Sequence, residues 1–360
     1  MEDAYSQRGS SASKPGLHKA LAGLGLEDNE GCFIRFTPDL AGSDDHLSFI
    51  HCDGAGTKSI VAYLMHRATG SAAHYAGLAA DALMMNIDDI YCAGIPDSLS
   101  LGNLIARNAR LVGDEALEVI IGEYSSLLQR LSELGIPISM GGGETADCGD
   151  VVRTLVVDAV VSGRMKKANV IRASRIAAGD VIVGFSGTGR ANYDSVDNSG
   201  IGSNGLTLAR HVLLSRAAAS SYPEIEDPGI GDAVRYTGRF AVTDVPENLG
   251  MSVGEALLSP TRTYAPVLLE VFQALGPKLH GVIHLTGGAH TKVIRFLRNV
   301  RIIKDNPFPT PPLFALIQSE GLAEKAGWKP TLLTSAEKQR VPQNAVPREV
   351  ETVINHRVIN

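Results

Sequence analysis

Side chains alternate between apolar and polar over LSFIHC (47–52), which predicts a strand that runs into a glycine turn at 53–58. From Lys58 to about Arg67 the period changes, and Ile60/Leu64 and Val61/Met65 repeat at helical spacing. A second helix is predicted over roughly 72–92 and a third over about 114–134. The third carries Leu117, Ile120, Ile121, Tyr124, Leu128 and Leu131 on one face and stops at Gly135. IPISM (136–140) and TLVVDAVVSG (154–163) read as strands. The polar, basic stretch 165–179 marks a boundary. Beyond it come a strand at 180–186, a Gly/Asn/Ser-rich loop to Gly205, a helix to about Ala219 and a long helix at 262–275. A strand at 281–285, a TGG turn and a helix at 291–299 follow.

Strands and helices therefore alternate in both halves, which predicts an α/β protein of two domains. The expected division is a mobile lead-in (1–45), an N-terminal domain (46–165), a C-terminal domain (166–325) and a tail (326–360) with three prolines and no clear strand alternation. The length of 360 residues agrees, because single cores stop growing near roughly 250–300 residues. Net charge is −6 with no long basic run, which argues against a nucleic-acid partner. Small phosphorylated ligands need only a few local donors and are compatible with this balance. The four cysteines form no CxxC pair, and no apolar run is long enough for a signal core or a membrane span. A reducing cytoplasm is the expected location, with no membrane partner.

Chemistry concentrates at glycine turns. In HCDGAGTKS (51–59), Gly54 and Gly56 let backbone approach a ligand. The amides opening the next helix can face phosphate oxygens, Lys58 adds positive charge, and Asp53 can hold Mg²⁺. The alternative is a tight strand-to-helix turn with an exposed Asp. The second helix is apolar nearly all round, so Asp88 and Asp89 are expected in poorly solvated surroundings that call for a cation. GGGETADCGD (141–150) adds Glu144 at another strand end, or forms a flexible acidic turn. Convergence of Asp53, Asp89 and Glu144 would suit a divalent metal with nucleotide phosphates. In the second half, GIGSNG (200–205) precedes a helix, and His284 stands before Gly287 and Gly288; a structural role for that histidine is the alternative.

Together these motifs resemble the aminoimidazole ribonucleotide (AIR) synthetase family. HCDGAGTK resembles its DGxGTK loop and NIDD (86–89) its Cys-Val-Asn-Asp segment. GGETAD (142–147), SNG (203–205), SPTRTY (259–264) and HLTGGA (284–289) resemble four further motifs, all in the family's order. The resemblance implies a two-domain fold whose N-terminal sheets pair into a barrel across a homodimer, with a C-terminal sheet covered by helices. It also implies ATP-dependent closure of formylglycinamidine ribonucleotide (FGAM) to AIR in purine biosynthesis. The alternatives are another small phosphorylated substrate or a catalytically silent nucleotide-binding partner. By the same resemblance, Asp53, Gly54, Gly56, Thr57, Lys58, Gly142, Gly143, Glu144 and Thr145 would hold ATP, with Mg²⁺ on Asp53, Asp89 and Glu144. Ser203, Asn204, Gly205, Gly287 and Gly288 would hold the substrate, and His284, Lys58 and Asp89 would serve catalysis. Departures include Asp88 where the family has Asn and Ala289 where it has Gly.

Overall fold

The computed structural model describes residues 5–10, 15–23, 31–287, 292–293, 296–297, 300–304, 306–321 and 356–359. The chain is α/β. Helix α1 (Pro15–Gly23) precedes a five-stranded sheet of β1 (Thr37–Pro38), β2 (His46–Gly54), β3 (Ser98–Arg107), β4 (Ile138–Asp147) and β5 (Leu155–Lys166), in the order β1-β2-β5-β3-β4. Helices α2 (Lys58–Thr69), α3 (Gly77–Cys92) and α4 (Asp114–Glu133) pack against this sheet on one side. Strand alternation sends Phe49, His51 and Asp53 of β2 and Val157, Ala159 and Val161 of β5 toward the helices. The opposite face leaves Ile50, Val156, Val160 and Leu104 exposed. No helix among the described residues is long and apolar enough to cross a membrane.

The second half contains α5 (Leu206–Leu213), α6 (Arg216–Ser221), α7 (Val253–Leu258), α8 (Ala265–Leu275) and α9 (Pro312–Glu320). Its strands are short. β6 (Val181–Ile182) and β9 (Arg301–Lys304) flank β10 (His356–Ile359), and β7 (Thr188–Gly189) pairs with β8 (Asn198–Ser199). Part of the tail that lacked alternation therefore supplies a middle strand, and the rest lies outside the described residues.

Several sequence expectations change here. The glycines at 141–143 do not form a turn after a strand; they lie within β4. A Cβ at Gly143 would meet Asn103 Oδ1 at 1.9 Å, and one at Gly141 would meet Ser100 Oγ at 2.3 Å. Polar side chains of neighbouring β3 thus occupy the room a side chain would need. The segment 281–285 forms no ladder, and of 180–186 only Val181–Ile182 pairs. Residues 31–45 are not a loose lead-in, because Cys32 and Ile34 are buried in the core. Arg164 also grips Asp39 with two hydrogen bonds of 2.7 and 2.9 Å. That guanidinium holds the Asp39 carboxyl well below the usual carboxylate range. The predicted helix at 291–299 lies largely outside the described residues.

Candidate functional site: an aspartate between two histidines beside a three-loop cleft

Every residue of α3 from Leu78 to Cys92 is buried, as its all-round apolar pattern requires. Its carboxylates are consequently partnered one by one. Asp89 receives His284 Nδ1 on Oδ1 at 2.7 Å and faces His51 Nε2 with Oδ2 at 3.4 Å. Burial alone would raise the Asp89 pKa, but the two histidines hold it well below the usual range. His51 Nδ1 lies 2.9 Å from Asn86 Oδ1, and the Asn86 amide nitrogen bonds the carbonyls of Ala82 and Ala159 at 2.8 and 3.2 Å. Asp53, two residues along the same strand face, has a raised pKa. Burial is the main cause; the Gly54 amide opposes it, and repulsion from Asp89 adds to it. Lys292 lowers the pKa of both Asp53 and Asp89 by its charge. His51, Asn86 and Lys292 were missed in the sequence. The only available signal was that His51 and Asp53 share a strand face at a spacing of two.

The glycine loop of the first half meets two loops of the second. Gly56 has φ +56, a conformation that favours glycine, and a Cβ there would stand 3.7 Å from the Ser203 carbonyl oxygen. Thr57, at the N-cap of α2, contacts Thr207 in the first turn of α5 through hydroxyls 3.2 Å apart. Gly205 caps α5 at φ 80, and a Cβ on Gly287 would lie 3.2 Å from Asn204 Oδ1. Two helix N-termini, with their unpaired amides and positive dipole ends, therefore open beside one another. Gly56, Asn204 and Gly287 are exposed, so this cleft is open to solvent. Gly288 lies outside the described residues.

Two expected residues stand elsewhere. Lys58 does not face the cleft. Its ammonium is completely buried, 2.8 Å from Asp81 Oδ1 and 2.5 Å from the Ser259 carbonyl oxygen. Burial lowers its pKa, and Asp81 opposes that shift. Glu144 does not join Asp53 and Asp89. Register aligns Asp53 with Ala159, Asn103 and Gly143, whereas Glu144 aligns with Leu104, Asp158 and Gly54 on the opposite sheet face. Two strands also separate β4 from β2, a gap of roughly 14 Å at ordinary strand spacing. Gly142, Gly143 and Thr145 share that exposed edge strand. Among the described residues no three His, Cys, Asp or Glu side chains are grouped to hold a metal ion. The expected magnesium site on Asp53, Asp89 and Glu144 therefore does not fit a single copy of the chain.

Asp81 and Asp88 anchor the second half to α3. Thr261 donates to Asp81 from its amide at 2.9 Å and its hydroxyl at 2.6 Å. Thr263 Oγ1 donates to Asp88 at 2.7 Å, and the Tyr264 amide does so at 3.0 Å. The SPTRTY segment, read as a family motif, thus docks on buried carboxylates, so no cation is needed at Asp88. Burial raises the Asp88 pKa from an ordinary 3.8 to about 6. A carboxyl shifted upward binds more protons folded than unfolded. Its stabilising effect is then full below about pH 3.8 and is lost as pH rises through about 6. Asp88→Asn should leave stability near pH 4 unchanged and raise it at pH 8 by about 3 kcal/mol or less. Urea midpoints at the two pH values measure this; an equal shift at both would contradict it.

Residues 28–165 match the AIR synthase related protein, N-terminal domain. A phosphoribosylformylglycinamidine cyclo-ligase of Methanocaldococcus jannaschii is 29% identical over 283 residues, covering 77% of this chain and 65% of that protein. The enzyme of the same name from Methanothermobacter thermautotrophicus is 28% identical over 274 residues, covering 75% and 66%. The chain thus spans just under two thirds of these relatives' length. Thiamine monophosphate kinase of Aquifex aeolicus superposes with a TM-score of 0.49 at 11% identity, over 98% of this chain and 96% of that one.

Proposed function

We propose that this chain, whose residues 28–165 match the AIR synthase related protein, N-terminal domain, closes the imidazole ring of FGAM at the expense of ATP. The carrying observation is the meeting of three loops at one cleft: 54–57, 203–205 and Gly287. ATP phosphates lie over Gly54, Gly56 and Thr57 at the N-terminus of α2, and the substrate phosphate over Ser203, Asn204 and Gly205 at that of α5. The γ-phosphoryl group passes to the formyl oxygen and ADP leaves. The neighbouring amine then attacks the same carbon, phosphate departs with the C–O electron pair, and one proton must be removed from nitrogen.

In this reading His284 takes that proton. Its Nδ1–H donates to Asp89, which leaves Nε2 as an acceptor. Purified protein given ATP and FGAM is expected to release ADP only when both are present. ATP binding without FGAM-dependent ADP release would favour the silent nucleotide-binding module instead. We also propose that a second copy covers the open sheet face carrying Ile50, Val156, Val160 and Leu104. Sedimentation equilibrium is then expected to report a dimer, and a monomer at micromolar concentration would remove this element.

A further inference from the structure

A triphosphate seated over 54–57 brings negative charge next to Asp53, which directly precedes Gly54. The N-terminus of α2 offers only about half a positive charge in return. A full positive charge from the protein would favour binding there. Lys58 does not supply it, because its ammonium is buried on Asp81 and the Ser259 carbonyl.

Lys292 reaches the cleft from the second half of the chain. Its ammonium donates to Thr286 Oγ1 at 2.5 Å and lies 4.7 Å from the centre of the Phe33 ring. Phe33 is stacked in turn on Phe296, with ring centres 4.9 Å apart. Thr286 directly precedes Gly287, which approaches Asn204 of the 203–205 loop. It also follows closely on His284, which donates to Asp89. The lysine's charge acts on Asp53 and Asp89 as well. The ammonium is thus tied to the Thr286–Gly287 side of the cleft while its charge falls on the Asp53 side. Unlike Lys58, Lys292 is only partly buried, so it can reach a phosphate that arrives in the open cleft.

We infer that Lys292 binds the γ-phosphate of ATP and stays with that group as it is transferred. The bond that breaks joins the γ-phosphorus to the oxygen bridging to the β-phosphate, and its electron pair leaves with ADP. The bond that forms joins the same phosphorus to the acceptor oxygen, which in the proposed reaction is the formyl oxygen of FGAM. Lys292 keeps its proton throughout and offsets the charge on the equatorial oxygens. The inference deepens the ring-closure reading and rests on its ATP seat over 54–57, not on FGAM as the acceptor.

Calorimetric titration in magnesium-containing buffer with ADP and with β,γ-methylene-ATP, which cannot transfer its γ-phosphate, tests this contact. Wild-type protein should bind the ATP analogue more tightly than ADP. Lys292→Met should weaken the analogue about 10–100-fold, the range for a lost charged hydrogen bond, while ADP changes by about 3-fold or less. A lysine that merely stabilised the fold would, once replaced, shift both nucleotides alike. Lys292→Gln carries the same expectation should the methionine variant fail to fold. An unchanged preference for the analogue in a folded variant, or equal weakening of both nucleotides, would overturn the inference and leave ring closure standing. A wild type that binds neither nucleotide would overturn both. Loss of the preference in Lys292→Met, beside a wild type that releases no ADP with FGAM, would remove FGAM as the acceptor and uphold the lysine's contact.

Discussion

Replacing Lys58 with methionine should lower folding stability by about 3–5 kcal/mol while leaving the ATP affinity of the folded protein within a few-fold of wild type. The reason is the position of the ammonium. It is fully buried on Asp81 and the Ser259 carbonyl, where it ties α2 and α3 to the segment leading into 259–264. Removing it leaves the Asp81 carboxylate buried with only the Thr261 donors. Losing one member of a buried pair is costly because the other charge stays uncompensated, whereas replacing both by apolar groups often is not. Lys58→Met with Asp81→Leu should accordingly recover much of the loss. Guanidinium unfolding curves and calorimetric ATP titrations separate the outcomes. Wild-type stability with ATP affinity reduced tenfold or more would return Lys58 to the phosphates.

His284→Asn should reduce FGAM-dependent ADP release by about 10²-fold or more, the usual range for a lost proton acceptor. Asparagine can still donate to Asp89, so the α3 carboxylate keeps a partner and the fold is expected to survive. It offers no basic nitrogen. Because His284 bonds Asp89 and not the glycine loop at 54–57, ATP affinity should change little. A turnover number within a few-fold of wild type would exclude His284 as the proton acceptor and reduce it to a structural partner of Asp89.

Much of the fold was legible because its local periods are strong. The predicted helix at about 114–134 is α4 (Asp114–Glu133), and the all-round apolar helix is the wholly buried α3. The errors have physical causes. Gly141–Gly143 signalled a turn, since glycine's room for polar neighbours on the adjacent strand leaves no local trace. Strand β3 (SLSLGNLIAR) went unread because Gly102 and Asn103 interrupt its apolar run.

Within the candidate site, residues carried by short glycine loops were legible and long-range charge pairs were not. Lys58 and Asp81 are 23 positions apart, and Asp89 and His284 are 195 apart. No spacing rule connects such partners. Lys58 was assigned to phosphate because a lysine beside a glycine turn usually has solvent to face. Here α3 and the 259–264 segment close over it. Glu144 was placed with Asp53 because both were read as carboxylates at glycine turns at strand ends, but one residue of register decides the sheet face.

The joining of loops 54–57, 203–205 and Gly287 into one phosphate-binding cleft is tested most directly by calorimetric titration of Asn204→Asp with FGAM and, separately, with ATP. The substitution keeps the side chain's shape and sets a negative charge against Gly287 and beside the α5 N-terminus. Repulsion of a few kcal/mol between charges about 5 Å apart should weaken FGAM binding about 100-fold. Unchanged affinity for both ligands in a folded variant would mean that no phosphate lies there.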